Sequence, residues 1–143
     1  MTFEELYKVI QDRKENLPEN SSTTEMMTKG LSMILPKLNE EGFEVALALE
    51  TQGKDEVALE VSQCFYYLLC LGVFLEQNFE NIALEPDLGE LGDNKHELAK
   101  LISREIASIC HTPCLATINK LPSLLLKALE IGGSDRNHMF TFL

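Results

Sequence analysis

Three glutamates stand close together in this chain, Glu40, Glu41 and Glu44, and a fourth, Glu60, follows one short turn later on a segment that is otherwise almost wholly apolar. A carboxylate set among Val57, Leu59, Val61, Phe65, Leu68 and Leu69 is costly to take out of water unless a cation or hydrogen-bond donors meet it. Hard divalent cations such as Mg²⁺ take carboxylate oxygens and retain several waters, so acids from two adjacent helices suit such an ion. The competing reading of the first three acids is a solvated helix face, with Lys37 and Glu41 as an i,i+4 pair contributing roughly a few tenths of a kcal/mol. Glu60 weighs against it, because its sequence neighbours leave little surface turned to water.

The elements that must position these acids follow from the hydrophobic spacing. Thr2 caps a first helix whose apolar positions Phe3, Leu6, Tyr7 and Ile10 have helical spacing, and Asn16-Leu17-Pro18 ends it. After a polar loop over 19–24, a long helical pattern starts near Ser22 to Thr24 and runs to about Thr51; Pro36 is expected to kink it or split it in two. Leu31, Ile34, Leu38, Val45 and Leu49 form its apolar stripe, while Lys37, Glu40, Glu41 and Glu44 fill a neighbouring wedge. Gln52-Gly53-Lys54 makes the turn to a third helix, from about Asp55 to Gln77, apolar on nearly every side and therefore central to a bundle. Antiparallel packing around that turn brings Glu41 and Glu44 toward Glu60, whose face also carries Gln63 and Tyr67.

Residues 83–94, with Pro86, Gly89 and Gly92, read as a loop dividing an N-terminal bundle (1–84) from a helical extension (85–143). The extension is expected to pack on the same domain or at an interface between two copies. It holds a helix from Asn94 to Ile109 and a last one opened by Pro122 and stopped at Gly132-Gly133. The fold class is all-α, a helical bundle.

At 143 residues the chain suits one domain, and its formal charge of −11 disfavours nucleic-acid backbones and anionic membrane surfaces as partners. Met1 to Asp12 lacks the basic start and apolar run of a signal peptide, and the uncharged run Cys64 to Leu75 falls short of the roughly twenty residues of a bilayer span. The expectation is a cytoplasmic protein with reduced thiols, Cys64 and Cys70 acting as small hydrophobes. Cys110-His111-Thr112-Pro113-Cys114 is a second cluster that suggests zinc or redox chemistry, but it lacks another ligand pair at zinc spacing and reads as structural. No Gly-rich phosphate loop, G-x-S-x-G elbow or H-E-x-x-H helix is present.

From about residue 3 to 82 the chain resembles the phosphoribosyl-ATP pyrophosphatase family and, more distantly, the MazG-like all-α NTP pyrophosphohydrolases. The resemblance is carried by Asp12-Arg13-Lys14, by Pro18-Glu19-Asn20-Ser21-Ser22-Thr23, and by Lys29-Gly30-Leu31. It continues through Lys37-Leu38-Asn39-Glu40-Glu41-Gly42-Phe43-Glu44 and Glu60-Val61-Ser62-Gln63, which match the family's E-E-x-x-E and E-x-x-D motifs. Gln63 stands where the family has aspartate, Asn39 where it has glycine and Ser22 where it has tyrosine. A neutral amide still offers one oxygen to Mg²⁺ but removes a full negative charge, which weakens the hold on a second ion.

The resemblance implies Mg²⁺, with Mn²⁺ as a substitute, held by Glu41, Glu44, Glu60 and Gln63. It implies catalytic roles for Glu41 and for Glu40, the latter steering a proton, and a homodimer as the working state. Arg13, Lys14 and Lys37, with the hydroxyls of Ser21 and Thr23, are the expected phosphate contacts. The implied reaction cleaves a nucleotide between its α and β phosphates, with phosphoribosyl-ATP in histidine biosynthesis as substrate. The alternatives are a house-cleaning NTP pyrophosphohydrolase and a non-catalytic helical binding dimer that has lost a metal ligand at Gln63.

Overall fold

The computed structural model describes residues 1–84 and 93–143. The loop expected around Pro86, Gly89 and Gly92 therefore lies largely outside the described residues. Helix α1 (Phe3–Asn16) starts on a reciprocal cap: the Glu5 amide donates to the Thr2 hydroxyl at 3.1 Å and the Thr2 amide to the Glu5 carboxylate at 3.0 Å. It ends where the Asn-Leu-Pro sequence leads one to expect, with Leu17 in a left-handed conformation (φ +43°) that the sequence did not foretell. Its buried side, Phe3, Leu6, Tyr7 and Ile10, is the predicted stripe.

The second expected helix is two. Helix α2 (Ser22–Lys29), capped by Ser21, is separated from α3 (Leu31–Thr51) at Gly30, whose φ of +68° and ψ of −144° a side chain rarely adopts. A β-carbon there would also lie 2.9 Å from the Phe74 ring. The break thus falls at the glycine and not at Pro36, through which α3 runs unbroken. Pro36 sits in the second turn, where its ring costs one amide bond to the first turn, and the burial of Ile34 and Leu38 on either side holds the helix together across it.

Helix α4 (Lys54–Phe74) returns antiparallel to α3 and buries Val57, Ala58, Val61, Cys64, Phe65, Leu68, Leu69 and Leu71. By length and hydropathy the whole helix is long and apolar enough to cross a membrane, which the shorter uncharged run within it is not. Here that composition is accounted for by packing against α1, α3 and α7. It stops three residues before the expected Gln77 because Glu76 turns left-handed (φ +58°) and the Gln77 amide bonds back to the Gly72 carbonyl at 3.0 Å.

Beyond the undescribed segment, α5 (Lys95–His111) runs antiparallel along α3, meeting it at Gly42, where a β-carbon would stand 1.9 Å from Ile106 Cδ1. A four-residue turn of helix, α6 (Leu115–Ile118), leads to α7 (Pro122–Ile131), opened by its proline as predicted. The glycine pair is not the end of the helical structure: α8 (Arg136–Phe140), capped by Asp135, follows it. Leu98, Ile102, Leu125 and Met139 of these helices share one apolar core with Ile10, Leu38 and Phe65. Both sides of the α3–α4 turn are tied to them, Glu50 by a hydrogen bond with His96 and Asp55 by His138 at 2.9 Å. Lys127, buried on α7, reaches Asp93 at 3.4 Å and Glu130 at 3.5 Å.

Candidate functional site

The seam between α3 and α4 is where the acids meet. On α3, Lys37, Glu41 and Glu44 lie on the edge turned toward α4, half-buried, while Ile34, Leu38 and Val45 beside them go fully into the core. On α4, Glu60, Gln63 and Tyr67 form a half-buried line flanked by buried Val57, Val61, Cys64 and Leu68. The two helices pack closely along their length, so each carboxylate emerges at the margin of an apolar contact that fixes its backbone.

The Glu41 carboxyl lies within hydrogen-bonding reach of Glu60. Partial burial, then the Glu60 hydrogen bond and charge, then Glu40 and Glu44, push the Glu41 carboxyl up to about 7. Burial is the first cause of the raised Tyr67 hydroxyl, and Glu41 is the second. Cys64, fully buried beneath the seam, is driven far up by burial and then by Glu41 and Glu60. Tyr67 is the neighbour that helical spacing from Glu60 foretells; its hydroxyl, like the Gln63 amide, makes no hydrogen bond among the described residues.

Two of the expected charge pairings change. Lys37 pairs with Glu40 at 3.6 Å and not with Glu41, because Glu41 is turned inward to Glu60 while Glu40 stands exposed on the outer edge. Lys14 is not brought to the acids within the chain. Its ammonium donates to the Val73 carbonyl at 3.3 Å and pairs with Glu76 at 3.5 Å, at the C-terminal end of α4. Val73 is thirteen residues from Glu60 on that helix, about 20 Å at the helical rise. Arg13 is exposed at the same end of α1 and makes no ion pair among the described residues.

The hydroxyls expected to face phosphate are engaged locally. Ser21 is the N-cap of α2 and accepts the Thr24 amide at 3.4 Å. Thr23 is completely buried and bonded to the Tyr66 hydroxyl, so it holds α2 against α4 and is closed to a ligand, contrary to expectation. The Thr23–Tyr66 link had no signature in the sequence, since the two residues meet only when α2 folds back over α4. Cys110 donates to the Leu35 carbonyl at 3.7 Å, and Cys114 contacts Thr117; all four cysteines are free.

The seam's chemistry fits a hard cation in its donors: two carboxylates held together at partial burial, with the nearest lysine committed elsewhere, have unmet demand for positive charge. As the side chains stand, no three His, Cys, Asp or Glu groups among the described residues are gathered closely enough to hold an ion. The close pair is Glu41 and Glu60, with Glu44 one turn along α3.

The phosphoribosyl-ATP pyrophosphohydrolase family model matches residues 3–84, which contain this seam. The chain is 40% identical over 101 residues to a phosphoribosyl-ATP pyrophosphatase of Clostridium novyi (strain NT), covering 69% of this chain and 92% of that protein. A Bacillus cereus (strain B4264) protein of the same name is 35% identical over 102 residues, 71% of this chain and 91% of its own length. The Haloarcula marismortui protein of that name is 39% identical over 85 residues, 58% of this chain and 87% of its own. No solved structure matches. With more than half its length matched, and the paired acids of its α3–α4 seam inside the matched region, the chain belongs to the phosphoribosyl-ATP pyrophosphohydrolase family.

Proposed function

We propose that this protein hydrolyses phosphoribosyl-ATP to phosphoribosyl-AMP and pyrophosphate, as a Mg²⁺-dependent cytoplasmic enzyme of histidine biosynthesis. The observation that supports it most is the Glu41–Glu60 carboxylate pair inside the matched region. Glu41, Glu60 and Glu44 would hold Mg²⁺, with Gln63 lending a neutral amide oxygen. When bound, the ion neutralises phosphate charge and acidifies water. Glu40, exposed beside Lys37 at the rim, takes up the proton of the attacking water. Lys37 is the cation of this chain's seam that turns toward the phosphates. Two copies of the chain associate as a homodimer, in which Arg13 is free to serve phosphate.

The test is pyrophosphate release from phosphoribosyl-ATP and a panel of nucleoside triphosphates with Mg²⁺ or Mn²⁺, with Glu41→Gln as the control. Phosphoribosyl-ATP is expected to be preferred and Glu41→Gln to lose about 100-fold or more. Release from none of them at saturating metal would end the enzyme reading. The neutral Gln63 specifically favours a second reading, a binding dimer without turnover. Gln63→Asp separates the two: higher Mg²⁺-dependent turnover supports the enzyme, and no gain in rate or metal affinity supports the binding protein.

A further inference from the structure

Asn39 and Phe43 stand one turn apart on α3, both exposed and neither part of the acid seam. Phe43 is 65% exposed, and the Asn39 amide makes no hydrogen bond among the described residues. Both border a hollow of about 420 Å³ between α3 and α5, which Glu40, Ser103 and Ile106 also line. A second hollow, of about 330 Å³, adjoins it at Phe43 and Ser103 and is lined by the small side chains of Ala46 and Ala99. Together they give room for a flat bicyclic ring laid against the phenylalanine. Two parts of this groove are particular to the chain: Asn39 replaces the glycine of the motif that the sequence resembles, and α5 lies beyond the family match, which ends at residue 84.

The groove adjoins the chemistry through Glu40, which lines the hollow and pairs with Lys37 at 3.6 Å on the rim of the seam. Its charge suits an anion. On a molecule of formal charge −11, the α5 side offers Lys100 and Arg104, 61% and 71% exposed, whose partners Glu97 and Glu105 are near neighbours in sequence. Such exposed pairs hold their charges only weakly. An open aromatic ring gives any base a face to stack on. An asparagine amide matches adenine in particular, meeting the N6 amino donor with its oxygen and the N7 acceptor with its nitrogen. Guanine presents two acceptors on that edge. In phosphoribosyl-ATP the additional sugar is carried on N1, and the N6–N7 edge is the one left open.

We propose that the α3–α5 groove seats the adenine ring of the nucleotide, with Phe43 stacked on its face, Asn39 Nδ2 donating to N7 and Asn39 Oδ1 accepting from the N6 amino group. Ser103 of α5 closes the other side of the ring's slot, and Lys100 and Arg104 draw the anionic ligand in. The identity of the nucleotide rests on the proposed function; the groove adds the residues that choose its base.

AMP, which has no α–β bond to cleave, is the probe, with 7-deaza-AMP and GMP beside it, titrated by calorimetry into the full-length protein with Mg²⁺. Native protein is expected to bind AMP about 10-fold more tightly than 7-deaza-AMP or GMP. Phe43→Ala weakens AMP binding by about 10-fold or more, as removal of a stacking ring does, with unchanged far-ultraviolet circular dichroism. Asn39→Ala weakens AMP and makes AMP and 7-deaza-AMP equal, an effect that a merely structural role for Asn39 does not produce. Ser103→Phe fills the slot and removes binding of all three. Native protein that binds no AMP, or that binds AMP and 7-deaza-AMP alike, overturns the proposal, as does a Phe43→Ala or Asn39→Ala protein with native affinity. Pyrophosphate release, measured separately, reports on the seam. A protein that passes the AMP tests but releases none keeps the base site and loses the enzyme reading, and an active protein that fails them keeps the chemistry and loses the base site.

Discussion

Glu41 is the residue in which sequence, packing and chemistry meet. Its carboxyl is raised to about 7 from an ordinary 4.5 by partial burial and by Glu60, so in the metal-free protein it is protonated over a range in which an unfolded glutamate is charged. A raised folded value means that its contribution to stability is fully present below pH 4.5 and is lost as pH climbs through about 7. Native protein without divalent ions should therefore lose melting temperature relative to Glu41→Gln between those pH values, and no further above them. Mg²⁺ at pH 8 should restore part of the loss in the native protein and little in the variant. Parallel melting curves for the two proteins across that pH interval would show that the Glu41–Glu60 contact is not made in solution.

The elements show how small residues set where the acids go. Gly30 lets α2 turn back over α4 and start α3 in the register that faces Glu41 toward Glu60. Gly30→Ala must place a side chain at φ +68° and against Phe74, and is expected to cost about 1–3 kcal/mol of stability by chemical denaturation. A loss below a few tenths of a kcal/mol would mean that the α2–α3 joint relaxes freely. Gly42 serves α3 differently, by letting Ile106 of α5 approach its backbone on the side opposite the acids. Helix α3 is thereby held from both flanks, by α4 on the carboxylate side and by α5 on the other.

For the whole molecule, the extension helices are part of one apolar core with the matched region. Ile106 lies on Gly42 of α3, and the end of α7 lies on Val57 of α4. Ending the chain at Leu84 would bare those faces, and the expected product melts broadly and binds a hydrophobic dye, where the full chain unfolds in one transition. A truncated chain with a sharp melt and no dye binding would show that the first 84 residues are self-sufficient. The relatives are covered over about nine-tenths of their own length by roughly 70% of this chain.

The amino-acid sequence by itself determined the all-α class and several helix starts and faces, because capping residues and a 3.6-residue hydrophobic period are local properties: Thr2, Pro122 and the stripe from Ile34 to Leu49 act where they were read, whereas the break at Gly30 and the added helix α8 were not. It also marked Glu60, since a carboxylate amid valines and leucines is conspicuous without coordinates. Tertiary structure alone decided the partners. That Lys37 takes Glu40, that Lys14 caps the far end of α4 and that Thr23 is sealed under Tyr66 depend on which helix faces meet. Those meetings join residues up to sixty positions apart, set by the summed packing of many side chains rather than by the spacing around any one of them.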